Sequence, residues 1–182
     1  MGPQGFHEFK TRVFVETGTF GGDGIQKALD AGFEEVYSID IDAINVRDSK
    51  NRFKDKPEVH IYLGDSSYQL TDVIAPLNEP VVFWLDAHNG FPDPEDRTTK
   101  NTPLMEELDQ IKNHPIKTHT ILIDDLHCCE TLLFDFLTLE EIMDKVWQIN
   151  PDYTITFVDG GNDGEYKNNV LVAYVKEELS QP

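Results

Sequence analysis

Positive charge is scarce in this sequence: 15 Lys and Arg stand against 34 Asp and Glu in 182 residues, a formal net charge of −19 at pH 7. That balance argues against nucleic acid or an anionic membrane as the partner, because both need a basic face, and it suits a solvated surface or the binding of cations. Cysteine is nearly absent. Cys128 and Cys129 are adjacent, which rarely permits a relaxed disulfide, and the C-x-x-C spacing of redox sites is missing. No apolar run approaches the ~20 residues that span a bilayer, and no apolar signal-peptide core opens the chain, so a soluble cytosolic protein is expected. Repeats and low-complexity tracts are also lacking. The length predicts one domain over 1–182, with its core over 12–176.

What the sequence does contain is a glycine-rich turn. Val13-Phe14-Val15-Glu16-Thr17 is a β-branched and aromatic run ending near an acid, Gly18, Gly21, Gly22 and Gly24 follow, and a helical pattern runs from Ile25 to Ala31. Strand, loop and helix start in that order suggest a cofactor loop, since glycine lets the backbone approach a ligand and a helix N-terminus offers free N–H groups. The spacing is not the G-x-G-x-x-G of dinucleotide folds, and no G-K-[ST] follows for phosphate transfer. A purely structural turn is the competing reading.

Further strands are predicted at 35–40, 59–63, 80–86 and 118–124, alternating with helices at 43–53, from Ser66 towards Ile74, at 104–112 and at 136–147. Ser66 or Ser67 is expected to cap the second of these helices. A hairpin of 153–158 and 169–175 closes the chain around a tip at 159–164. This alternation predicts an α/β sheet that is parallel except at the hairpin. The stretch Asn89–Pro103, with three prolines and five charged residues, is too long for an ordinary connection and is read as a lid or a surface excursion.

Open α/β sheets bind ligands where their strands stop. The strands here stop at or just before carboxylates: Glu16, Asp40, Asp65, Asp86 and Asp124. Asp40 lies roughly 20 residues beyond the glycine loop, the offset at which an acid takes ribose hydroxyls, while Asp42 is free to cap the next helix. His88 and His127 follow two of the strand ends, where an imidazole could serve as a base or a ligand or simply be solvated.

Val13–Gly18 with the glycines after it, Tyr37-Ser38-Ile39-Asp40, Leu63-Gly64-Asp65-Ser66, Phe83-Trp84-Leu85-Asp86 and the final hairpin together resemble the class I S-adenosylmethionine-dependent methyltransferases. The resemblance covers nearly the whole chain from Val13 to Val175. It implies a Rossmann-like methyltransferase fold, a seven-stranded mostly parallel sheet in the order 3-2-1-4-5-7-6 with strand 7 antiparallel and helices on both faces. It further implies that Glu16, Gly18, Thr19, Gly21 and Gly22 hold the methionine part of the cofactor, Asp40 the ribose, and Asp65 and Ser66 the adenine. Phe20 departs from the pattern, standing where many members have a second glycine.

A narrower resemblance links Asp86-Ala87-His88 and Asp124-Asp125 to metal-dependent O-methyltransferases, which have Asp at the first place and Asp-Asn at the second. It implies Mg²⁺ or another divalent cation on Asp86, Asp124 and Asp125; oxygen ligands suit such hard ions. Helix capping, a buried partner for Asp86 or metal-free base catalysis would explain the same acids. The expected function is methyl transfer from S-adenosylmethionine to a small-molecule oxygen, with Asp86 and His88 catalytic. A compact core with few additions suggests either a small acceptor or a site completed by an oligomeric partner. A non-catalytic S-adenosylmethionine-binding domain and an NAD-dependent oxidoreductase are the alternatives.

Overall fold

The structure is a computed structural model that describes residues 6–9, 11–96, 100–160 and 166–176. Most of the expected hairpin tip, and 97–99 of the long loop, lie outside the described residues. Seven strands form one sheet: β1 (Val13–Thr17), β2 (Glu35–Asp40), β3 (Val59–Leu63), β4 (Val82–Leu85), β5 (Thr120–Ile123), β6 (Thr154–Gly160) and β7 (Tyr166–Tyr174). Their order is β3-β2-β1-β4-β5-β7-β6, parallel through the first five, with β7 antiparallel to both β5 and β6.

Among the described residues five α-helices cover it: α1 (Asp23–Ala31), α2 (Ala43–Arg52), α3 (Ser66–Ile74), α4 (Leu104–Asn113) and α5 (Leu139–Ile149). The apolar run of β4 is buried throughout because both faces of the sheet are covered. Its side chains alternate between two cores: Phe83 and Leu85 join Leu70, Leu108 and Ile142, whereas Val82 and Trp84 join Phe14, Ile25 and Val46. Trp84 is a packing residue, its ring meeting Phe6 edge-on at 5.4 Å.

Helix starts differ from expectation where side chains compete for the free N–H groups. Asp65, rather than Ser66 or Ser67, caps α3, its Oδ1 accepting from Ser67 N at 2.9 Å. The helix expected from Phe136 begins only at Leu139. Asp135 and Phe136 have φ of 50° and 63°, which no right-handed helix accepts, and Thr138 with Glu141 forms a reciprocal capping box. Two short 3-10 turns, Leu126–Cys128 and Leu132–Phe134, fill the preceding segment. As expected, Asp42 caps α2 through Ile44 N at 2.6 Å.

No described helix is long and apolar enough to cross a membrane.

Candidate active site

The chain reverses direction across the sheet between β1 and β4, so the crevice at their carboxyl ends is where a ligand is expected to lie. Backbone bonds stitch these ends to each other, through Asp86 N to Thr17 O at 3.1 Å, and to their neighbours, through Gly18 N to Ile39 O of β2 at 2.9 Å and Asp124 N, just after β5, to Leu85 O at 3.1 Å. Gly18 is required twice over. Its φ is +87°, and a Cβ would stand 2.5 Å from the Asp86 carbonyl oxygen. Gly22, at φ +79°, leaves room for the Phe53 ring, while nothing crowds Gly21.

Glu16 lies beneath this loop with 1% of its surface exposed. Its Oε1 accepts from Ser38 Oγ at 2.7 Å, and Ser38 Oγ is 2.5 Å from Thr19 Oγ1. Its Oε2 occupies the space over Gly24, where an added Cβ would come within 2.1 Å of it, so the carboxyl group abuts the first turn of α1. Burial pushes the Glu16 pKa up to about 8; the Ser38 hydrogen bond opposes this, and Asp86 and Asp40 reinforce it. Such a group releases its proton readily when a cationic ligand arrives.

Asp40 closes the other side of the loop. Its Oδ2 accepts from Phe20 N at 2.8 Å and Asn45 Nδ2 at 3.3 Å, and its Oδ1 from Asp42 N at 2.7 Å. Phe20 adopts φ 43°, so this phenylalanine takes up a left-handed conformation with its ring in solvent. Asp65 is exposed and its Oδ1 is engaged in capping; Ser66 is buried.

At the ends of β4 and β5 the acids meet histidines. Ligand atoms of Asp86, His88 and Asp125 all lie within 4.8 Å of one another. His88 Nε2 is 3.0 Å from Asp125 Oδ2, and Asn169 Nδ2 donates to Asp125 Oδ1 at 3.2 Å. Burial lifts the Asp86 pKa to about 7, helped by Asp124 and then Asp125. Asp125 goes the other way: burial is the largest single influence and raises it, but the His88 hydrogen bond and charge, the Asn169 hydrogen bond and the His127 charge together hold it below the usual range, and the His88 bond raises His88.

Asp124 is more deeply enclosed. Its Oδ1 accepts the Asp125 N–H at 2.8 Å, and burial followed by the Asp125 charge raises its pKa. Among the described residues it is not part of the Asp86, His88 and Asp125 group. His127 is not a member of that group but borders it, its Nδ1 3.6 Å from Asp125 Oδ1. Its ring stacks on Tyr166 at 4.5 Å, and its Nδ1 lies 2.8 Å from Asn169 Oδ1. Because Asn169 donates its amide to Asp125, its oxygen faces His127 and fixes the proton on Nδ1.

Three neighbours of these residues escaped the sequence reading. Ser38 and Asn169 are polar members of strands that pair only in three dimensions. Glu107 on α4 is ionisable yet 1% exposed; burial raises its pKa to about 7 despite the hydroxyls of Ser66 and Thr17. Its place on the apolar face of an amphipathic helix, beside Leu104, Leu108 and Ile111, was the available signal.

No family model matches the chain, and no curated protein matches it in sequence. Solved structures do match. The SAH-bound methyltransferase PaMTH1 of Podospora anserina is 12% identical with a TM-score of 0.59, covering 94% of this chain and 74% of that one. Aeropyrum pernix fibrillarin with natively bound S-adenosyl-L-methionine is 13% identical with a TM-score of 0.60, covering 89% and 66%. An rRNA methylase from Streptococcus thermophilus is 14% identical with a TM-score of 0.51, covering 90% and 87%. At these identities the likeness is one of fold. The chain has the Rossmann-like methyltransferase fold.

Proposed function

We propose that this chain transfers a methyl group from S-adenosylmethionine to an oxygen of a small-molecule acceptor. The observation that carries this reading is the pairing, at the sheet's switch point, of buried Glu16 against the α1 start with Asp40 across the glycine loop. Glu16 is suited to the cofactor's ammonium group and Asp40 to its ribose hydroxyls. Gly18, Thr19, Gly21 and Gly22 form the wall between them, and Asp65 and Ser66 lie at the β3 end, on the adenine side. The two cofactor-bound neighbours support this choice of ligand.

The sulfonium already activates the methyl group, so the protein must align nucleophile, methyl and sulfur and manage one proton. Alignment supplies much of the barrier reduction. The hydrogen bond from His88 to Asp125 orients the imidazole, and His88 then accepts the acceptor's hydroxyl proton. Asp86, His88 and Asp125 also fit a divalent cation by donor type and spacing, and Asp124, which accepts the Asp125 N–H, supports Asp125 behind them. A bound Mg²⁺ or similar ion would supply acidification of the acceptor oxygen. A net charge of −19 favours a small acceptor over the RNA named for one neighbour.

Product S-adenosylhomocysteine, followed by mass spectrometry over a panel of small hydroxyl compounds, tests this. Wild type is expected to turn over at least one compound. Asp86→Ala is expected to lose turnover while keeping cofactor affinity, and a fully active Asp86→Ala would overturn its assignment.

A further inference from the structure

Beside the proposed reaction centre lies a cavity of about 10 Å³, room for one water-sized group. Leu85, Ile123 and Phe134 form apolar walls, and His88, Thr102 and Glu107 supply polar atoms. Its walls come from the ends of β4 and β5 and from α4 and include Asp86 and His88 of the proposed reaction centre, so it is assigned to the acceptor's side.

Its polar atoms are mostly acceptors. Glu107 is 1% exposed, and its Oε1 has no hydrogen-bond partner. His88 Nδ1 is enclosed and also without a partner, its Nε2 being turned to Asp125. Thr102 Oγ1 accepts from Leu104 N at 3.3 Å, which leaves its hydrogen to be donated. A buried carboxyl oxygen without a partner is unfavourable, and an apolar occupant would leave it so.

We infer that Glu107 is a specificity-determining residue, its Oε1 accepting a hydrogen bond from a hydroxyl or amino group of the methyl acceptor seated in this cavity. A hydroxyl or an amino group there donates to Glu107, and a hydroxyl also accepts from Thr102. Either way the acceptor carries a second polar head besides the oxygen that is methylated. Sites that hydrogen-bond a substrate group reject the analogue lacking it far more strongly than apolar pockets reject a missing methylene. The inference rests on the proposed methyl transfer only in assigning the occupant to the acceptor.

Ethanol, ethylammonium and acetone, which has no donor, are titrated into the full chain with and without S-adenosylhomocysteine, reading the amide resonances of Thr102 and Glu107. Ethanol or ethylammonium is expected to give saturable shifts and acetone none, and the one that binds identifies the head group. Glu107→Leu is expected to weaken that binding at least tenfold, whereas Glu107→Gln, which keeps an acceptor oxygen, stays within a few-fold. If Glu107→Leu does not fold, the Gln variant together with Thr102→Val, expected to weaken ethanol more than ethylammonium, carries the test. Equal shifts with acetone, an unchanged Glu107→Leu affinity, or occupation by water alone would overturn the inference. Absent S-adenosylhomocysteine binding would instead count against the methyl-transfer reading, because the probes are also read without it.

Discussion

At Gly24 the side chain is a hydrogen because the Glu16 carboxyl group fills the place a methyl would take. Gly24→Ala is therefore expected to displace Glu16 rather than unfold the chain, since the obstacle is a side chain and the residue sits in a helix that alanine favours. S-adenosylhomocysteine binding should weaken at least tenfold with little loss of melting temperature. Unchanged binding would show that Glu16 plays no part in the pocket. Glu16→Gln is expected to weaken binding similarly, because charge-assisted hydrogen bonds are worth roughly 1.5–3 kcal/mol, and to leave or raise the stability of the unliganded chain. Glu16, Gly18 and Asp40 were legible in the sequence because their chemistry depends on order along the chain. Ser38, Glu107 and Asn169 were not, because each gains its role from a partner 22 to 90 positions away in space-filling contacts: Ser38 from Glu16, Glu107 from Thr17, and Asn169 from Asp125.

Among the elements, the segment between β5 and α5 shows how side-chain hydrogen bonds override pattern. Asp135 accepts from Asn101 N at 2.9 Å, Asn101 Nδ2 at 2.9 Å and Thr102 N at 3.1 Å, and Asn89 N donates to Asn101 O at 2.7 Å. These bonds pin the base of the long loop expected at 89–103 beside the candidate cavity. Asp135→Ala is expected to speed hydrogen exchange at Asn101 and Thr102 by tenfold or more while β1 and β4 stay protected; unchanged exchange would mean the loop is held otherwise. The hydrophobic periodicity of 136–147 predicted a helix correctly but misplaced its start, because a left-handed Asp135 is not visible in composition. The strands were legible for the opposite reason: apolar runs buried on both faces, such as β4, have few other places to go.

A second element pairs His119 with His114 at the opposite ends of the strands. Val81 N donates to His119 Nδ1 at 3.2 Å, and His119 Nε2 lies 3.0 Å from His114 Nδ1, so its proton points there; His114 Nε2 lies 3.1 Å from Leu77 O. His119 keeps both of its bonds only while its own ring is neutral, because its Nδ1 must accept. Burial, then His114 and Lys117, lower the His119 pKa to about 4. The unfolded chain takes up a proton near the ordinary value of 6.5 and the folded chain does not. The stability contributed by neutral His119 is thus present above that value and is lost as pH falls towards 4.

For the whole molecule the buried acids impose the reverse slope. Glu16 and Glu107, with pKa values of about 8 and about 7 against an ordinary 4.5, stay protonated in the fold after the unfolded chain has released those protons. Stability of the unliganded chain should fall as pH rises from 6.5 to 8, by at most about 1.4 kcal/mol per pH unit for each group. Self-repulsion from a net charge of −19 adds to that decline at low salt. Thermal melts of wild type and Glu16→Gln check this: the variant should show the shallower slope, and a flat or rising wild-type curve would contradict it. The sheet order, with its antiparallel seventh strand, agrees with what the resemblance implied, because glycine loop, strand-end acids and closing hairpin are spread along the whole chain. The acceptor was not legible, since its surroundings come from the ends of β4 and β5, from α4 and from the turns after β5.

Binding of S-adenosylmethionine in the crevice between β1 and β4 is the premise of the proposed function. It is tested most directly by calorimetric titration of the full chain with S-adenosylhomocysteine, in chelator and then in Mg²⁺, with NAD as the control. Saturable one-to-one binding that NAD does not reproduce and Glu16→Gln weakens at least tenfold is the result predicted. Binding of NAD instead, or of neither nucleoside in either condition, would contradict it.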